Sequence, residues 1–262
     1  MAAPSIVFND GDAYERAMGV WSRHAGEVFL RWLAPANGLR WVDVGCGNGA
    51  FTELLMQRHA PAEVQGVDPS EGQLAYARKR PGAAGAVFHQ GGAEALPFEA
   101  DRFDAAVMAL VLFFVPDPPK GVAEMARVVR PGGLVAAYLW DMPGGGFPFH
   151  PIQEEVRRLG ITPPLPPSPQ VSNVDALRAV WQGAGLEGIE TRVIDVQRTY
   201  PSFENFWDTT MKTGSLVETV KSLSPEALAT LQDRVRQRLP VSADGTLTYG
   251  ARANAVKGRV PG

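Results

Sequence analysis

The chain has 262 residues, 45% hydrophobic and 20% charged, with a net charge of −3. These are ordinary globular values for one large α/β domain, or a domain with a sizeable insertion, and the slight acidic excess lacks the basic footprint of a nucleic-acid partner. The single cysteine, Cys46, excludes an intrachain disulfide, and His24, His59, His89 and His150 lie without metal-ligand spacing, so no metal site is expected.

Met1–Asp10 has neither a basic start nor an apolar run, so no secretory signal is expected. Tyr14, Met18, Trp21, Ala25, Val28, Phe29 and Trp32 recur at three- and four-residue steps and predict one face of an amphipathic helix, ended by Pro35 and Gly38. Arg40–Val44 reads as a strand, followed by the glycine-rich Gly45–Gly49 and a helix over Phe51–His59. Val64–Val67, Ala86–His89, Phe103–Met108 and Leu134–Trp140 read as further strands, with helices over Ser70–Arg80 and Pro118–Val129 between them. Arg130–Gly133 should break the second of these helices. This alternation argues for a parallel sheet covered on both faces. The longest apolar run, Ala105–Val115, is too short for a hydrocarbon core of about 30 Å, so a cytoplasmic protein with no membrane partner is expected.

Beyond Trp140 the pattern changes. Residues 142–172 are rich in Gly and Pro, hold one helical candidate, Ile152–Leu159, and are expected to form a lid loop. Ser172-Asn173-Val174-Asp175 has capping-box spacing and opens a helix to Ala184. Ile189–Tyr200 alternates like a strand, a helical insertion is expected at 202–240 with Pro225 at a first helical position, and Thr246–Val260 reads as extended. The expected organisation is residues 1–141 as an N-terminal helix plus a nucleotide-binding core, 142–172 as the lid, and 173–262 as the rest of the sheet with its insertion.

The informative unit is Val42–Gly49 followed by Gly66-Val67-Asp68. Glycines let the chain turn tightly after the first strand and let backbone approach a ligand. An acid at the end of the second strand, here Asp68, can accept both hydroxyls of a ribose at the sheet's carboxyl edge. A nucleoside-containing cofactor is therefore indicated. Gly45–Ala50 also loosely satisfies the dinucleotide fingerprint, which makes a nicotinamide-dependent oxidoreductase one rival. Against it stand the glycine spacing and Asp43, whose charge would repel a pyrophosphate but suit a cationic methionine end.

Residues Tyr14–Trp140 resemble the class I S-adenosylmethionine-dependent methyltransferases, in particular the ubiquinone/menaquinone-biosynthesis C-methyltransferase branch (methyltransferase type 11). Five ordered blocks carry the resemblance: 42–49, 66–70, 93–98, 103–107 and 124–133. It implies a Rossmann-like, doubly wound, mostly parallel seven-stranded sheet with an antiparallel last strand, and S-adenosylmethionine as cofactor. By the same resemblance, backbone around Gly45 and Gly47 faces the methionine moiety and Asp68 holds the ribose. Gln73 lies near the adenine, Ala93 offers it an N–H, and Ala109 and Leu110 line the methionine end. Cys46, Pro69, Gly92 and Glu94 complete the cofactor-binding set with Asp43 and Arg23. Arg23 has two readings, a partner for the cofactor carboxylate or a solvated helix residue. Two positions depart from the family. Gly92 stands where an Asp commonly accepts from the adenine amino group, with Glu94 or Gln90 as substitutes, and Phe113 stands where a polar residue is expected.

Methyl transfer to most acceptors requires positioning and exclusion of water more than acid–base chemistry. Should a base be needed, Asp141, directly after the fifth core strand, and His150 are the catalytic candidates. Phe147, Phe149, Tyr200, Phe206, Trp207 and Met211 either form an apolar acceptor pocket or pack as the core of the insertion. The expected partner is a small, apolar or aromatic methyl acceptor, with the protein a monomer or homodimer. A catalytically inactive cofactor-binding protein is the other rival, because a fold outlasts its chemistry.

Overall fold

The computed structural model describes residues 15–211 and 216–262, so Tyr14, one member of the expected helix face, lies outside the described residues. A π-helical turn, Glu15–Gly19, leads into α1 (Val20–Leu33), whose buried stripe includes Trp21, Ala25, Phe29 and Leu33. Then follow β1 (Arg40–Val44), α2 (Ala50–His59), β2 (Glu63–Asp68), α3 (Glu71–Ala77), β3 (Val87–Gln90), β4 (Phe103–Ala109), α4 (Pro118–Val128) and β5 (Val129–Trp140). The remainder is α5 (His150–Arg158), α6 (Val174–Gly183), β6 (Glu187–Tyr200), α7 (Phe203–Thr210), α8 (Val217–Lys221), α9 (Pro225–Arg238) and β7 (Leu247–Arg259).

The seven strands form one sheet in the order β3-β2-β1-β4-β5-β7-β6. β1 to β5 run parallel, while β7 runs antiparallel to both β5 and β6. The expected α/β fold with an antiparallel last strand is the observed one. The central strands are apolar because helices cover both faces: β4 reads Ala105, Ala106, Val107 and Met108, all fully buried. The order reverses between β1 and β4, and the carboxyl ends of those strands open onto the crevice where ligands of such sheets sit.

Two local expectations are corrected. Arg130–Gly133 does not separate helix from strand, since β5 begins at Val129, pairs Phe103 with Val129, and shifts register before Ala105. The cap of α6 is Asn173, whose side chain accepts from the N–H of Asp175 and Ala176. Ser172 instead donates to Pro169 O at 2.7 Å and accepts from Met142 N–H, tying the start of α6 to the segment after β5.

Candidate active site at the carboxyl edge of β1 and β4

The chain leaves β1 through three glycines in the left-handed region, Gly45 (φ 74°), Gly47 (φ 52°) and Gly49 (φ 78°). At Gly45 the requirement is double, because a Cβ there would sit 2.3 Å from Val111 Cγ1. At Gly47 a Cβ would meet nothing within 4 Å, so this stretch of backbone borders open space. The turn is pinned from β2: Gly45 N–H and Cys46 N–H both donate to Val67 O, at 2.7 and 3.0 Å. Asp68 holds it from the cavity side, its Oδ2 accepting from Gly47 N–H at 2.9 Å and its Oδ1 from Ser70 N–H at 2.9 Å. Burial raises the Asp68 carboxyl above the usual range, while those two N–H groups oppose the shift.

Asp43, one pleat back on β1, is fully buried. Thr52 Oγ1 donates to its Oδ2 at 2.6 Å, and its Oδ1 has no partner among the described residues. Burial pushes its carboxyl up to about 7; the Thr52 bond pulls the other way, and nearby Asp68 adds to the rise. Cys46 is buried and its thiol is raised well above the ordinary value by burial, which suits a packing residue rather than a nucleophile. Just past β4, Leu110 is held at φ 63°, a conformation rare for a branched side chain, with its N–H bonded to Tyr138 O at 2.8 Å.

These elements surround a cavity of about 810 Å³. All thirteen residues expected to bind the cofactor line it: Arg23 from α1; Asp43, Gly45, Cys46 and Gly47 from β1 and its turn; Asp68, Pro69 and Gln73 around the end of β2; Gly92, Ala93 and Glu94 after β3; Ala109 and Leu110 at the end of β4. A Cβ at Gly92 would meet nothing within 4 Å. Of the substitutes considered for the missing Asp, Glu94 has its Oε1 engaged by Asp117 N–H at 2.7 Å, and Gln90 donates to Pro69 O at 3.2 Å.

The other wall comes from residues the sequence did not single out. Gly19 and Ser22 of the first helical segment, Phe51 and Leu54 of α2, and Tyr138 of β5 line one side. Leu165, Pro166 and Pro167 line the cavity as well, together with Val111, Phe114 and Val115. Ser168 anchors that proline segment: its N–H donates to Phe113 O at 3.0 Å and its hydroxyl to Val115 O at 2.9 Å. The Gly- and Pro-rich segment 142–172, expected as a lid loop, is the one sequence signal that bears on the 165–167 contact.

The acceptor-side expectations come out differently. Phe113 is buried in the core and does not line the cavity; Phe114 does. Neither Asp141 nor His150 lines the cavity. Asp141 Oδ1 accepts from Gly144 N–H at 3.0 Å and closes a turn. His150, on α5, lies 3.6 Å from Glu154, and burial lowers its imidazole below the ordinary value. Of the six residues considered as an apolar acceptor pocket, none lines the cavity. Phe149, Tyr200, Phe206 and Trp207 are buried core, and Phe147 and Met211 pack against it. Tyr200 accepts from Trp21 Nε1 at 3.1 Å and meets Phe206 edge-on at 5.4 Å, while Phe206 meets Tyr249 at 5.6 Å. The reading as core of the insertion is the one the packing supports.

The donor set fits a nucleoside that carries an amino acid. Asp68 keeps lone pairs for a diol beyond its two N–H bonds, a buried carboxylate oxygen at Asp43 lacks a partner, and the exposed Arg23 offers a cation at the rim.

Residues 42–137 match the methyltransferase domain family. Among curated relatives, 2-methyl-6-phytyl-1,4-hydroquinone methyltransferase 2, chloroplastic, of Oryza sativa subsp. japonica is 42% identical over 96 residues, 37% of this chain and 28% of the relative. Fatty-acid O-methyltransferase of Mycolicibacterium smegmatis is 31% identical over 161 residues, 61% of this chain and 57% of the relative. The chain therefore spans only 28% and 57% of these two proteins. Among solved structures, phosphoethanolamine N-methyltransferase 2 of Haemonchus contortus in complex with S-adenosyl-L-methionine superposes with a TM-score of 0.60 at 20% identity, over 96% of this chain and 56% of that one. At that identity the likeness is one of fold. Residues 42–137 are thus similar to a methyltransferase domain, and the sheet that holds them has the fold of that S-adenosyl-L-methionine-bound structure.

Proposed function

We propose that this protein transfers a methyl group from S-adenosylmethionine to a small acceptor that is apolar or aromatic near the reacting atom. The observation that carries the reading is the division of one cavity into two kinds of wall. One is polar backbone plus Asp43 and Asp68; the other is Val111, Phe114, Val115, Leu165, Pro166 and Pro167. Two relatives whose names state a prenylated hydroquinone or a fatty acid as acceptor support the apolar choice.

In this reading Asp68 accepts the ribose hydroxyls and Ala93 N–H meets the adenine, flanked by Gln73, Pro69, Gly92 and Glu94. The turn at Gly45, Cys46 and Gly47 faces the methionine moiety, with Asp43 toward its ammonium and Arg23 toward its carboxylate. Ala109 and Leu110 border the sulfur end. The cofactor supplies an electrophilic methyl on a sulfonium. What this chain supplies is position and dryness: the proline segment 165–167, as a lid, keeps water from the reacting atoms and confines the acceptor. No role in proton transfer is assigned to Asp141 or His150, which face elsewhere.

Calorimetric titration with S-adenosylmethionine, S-adenosylhomocysteine and NAD tests the cofactor half. Selective binding of the two adenosyl sulfur compounds is expected, and binding of NAD alone would overturn the reading. S-adenosylhomocysteine release is then measured with long-chain acids and alkyl phenols against glycine and ethanolamine. Turnover confined to the polar pair would refute the apolar acceptor. Tight cofactor binding without turnover on any of them would favour the inactive binding protein.

A further inference from the structure

The glycine turn that borders the cavity is held at both of its ends. Gly47 and Gly49, both at positive φ, flank Asn48, and within the turn Gly49 N–H donates to Cys46 O at 2.9 Å. Val67 O and Asp68 secure the first half of the turn, at Gly45, Cys46 and Gly47. Asp68 is itself claimed by a ribose when the cofactor binds.

The second half is secured from far along the chain. Arg80, which follows α3, donates from Nε to Asn48 O at 3.0 Å and from Nη1 to Glu53 Oε2 at 2.7 Å. The two side chains are only 10% and 17% exposed, and Arg80 lies 5.7 Å from the centroid of the Tyr76 ring. A guanidinium fork shared between a carbonyl and a carboxylate holds both in one geometry, which a point-like ammonium does poorly. Gly82 makes room for the arrangement: a Cβ there would fall 2.0 Å from Glu53 Oε1. Asn48, Glu53 and Arg80 all line the cavity.

We propose that Arg80 is a positioning residue for the cofactor, clamping the Asn48 carbonyl through its pair with Glu53 so that the glycine turn presents its backbone to the amino-acid end of the ligand. The inference rests on the methyltransferase reading above and adds to it a residue that binds nothing of the acceptor. A clamp of this kind acts on the part of the ligand the turn faces. A residue that merely stabilises the fold acts on every ligand alike.

The test compares two ligands by calorimetry: S-adenosylhomocysteine, and 5′-methylthioadenosine, which keeps the nucleoside but lacks the amino-acid end. Arg80→Met is expected to weaken S-adenosylhomocysteine about tenfold, the loss of one charge-assisted hydrogen bond, and 5′-methylthioadenosine less than about threefold. Arg80→Lys should recover part of the loss. Gly82→Ala displaces Glu53 while leaving Arg80 in place, so it should repeat the ligand preference at smaller size, and it carries the comparison if Arg80→Met does not fold. Equal weakening of both ligands, or no weakening, overturns the clamp. Wild-type protein that binds neither ligand would instead remove the cofactor reading, and the clamp with it.

Discussion

Asp43→Asn separates the electrostatic cost of the cofactor site from its use. Asp43 lies between Gly66 and Val107 in the sheet, is fully buried, and has a carboxyl raised from 3.8 to about 7. In the folded state it therefore keeps its proton where the unfolded chain has lost it. Stability falls as pH rises from about 4 to about 7, and above that window the wild-type protein carries the whole penalty. At about 1.4 kcal/mol per pH unit, the gap amounts to roughly 4 kcal/mol. Asparagine cannot ionise, and its carbonyl oxygen can keep the Thr52 bond. Its amide group would occupy the place of the unpartnered Oδ1, at a cost of about 1–3 kcal/mol. The unliganded variant should thus match or fall below wild type at pH 5 and exceed it at pH 8 by about 1–3 kcal/mol, several degrees in melting temperature for a domain of this size. Thermal unfolding of both proteins at pH 5, 6, 7 and 8 measures the difference, in which all other titrations cancel. The same variant should lose at least tenfold in affinity for S-adenosylhomocysteine at pH 8. A melting difference that is the same at all four pH values would refute the reasoning, because Asp43 would then not titrate in the window.

Three further substitutions follow from the same geometry. Gly92→Asp enters open space at a residue outside the left-handed region and supplies the acid that the family resemblance leads one to expect there. Calorimetry should show S-adenosylmethionine affinity rising up to about tenfold, one hydrogen bond's worth, and a fall would show that the space is not free. Gly45→Ala combines a disfavoured φ of 74° with a Cβ 2.3 Å from Val111 Cγ1. Urea unfolding should register a loss of about 2–4 kcal/mol, partly recovered in a double variant with Val111→Ala. Asp141→Asn combined with His150→Gln should leave turnover within about twofold, since neither side chain lines the cavity. A loss beyond tenfold would reinstate them as acid–base groups.

The half of the cavity proposed to hold the cofactor was legible because it is local. Asp43, Gly45, Gly47 and Asp68 lie at the ends of two neighbouring strands, and the type of residue each position needs follows from a turn and a diol. The sheet was legible for a related reason. Strands buried on both faces read as short apolar runs, and the crossover helices between them show their own periodicity. The half proposed for the acceptor is assembled from segments with no common pattern: Gly19 and Ser22, Tyr138, and Leu165–Pro167 lie more than a hundred residues apart at the extremes. Tyr200 and Trp207 stood open between two readings because large aromatics suit a pocket and a core equally well. What decides is a partner from another element, here Trp21 Nε1, which donates to the Tyr200 hydroxyl. Arg80 shows the same limit in the cofactor half, since nothing in its neighbourhood reveals that it reaches Asn48. This difference in assembly bears on specificity. The wall proposed for the cofactor is tied into the parallel sheet through Val67 O and Leu110 N–H, whereas the proline segment is anchored through hydrogen bonds from Ser168 to the segment after β4. Changes at 165–167 can therefore reshape the acceptor side without disturbing the glycine turn, so variants there should alter which acceptor is taken before they alter cofactor affinity.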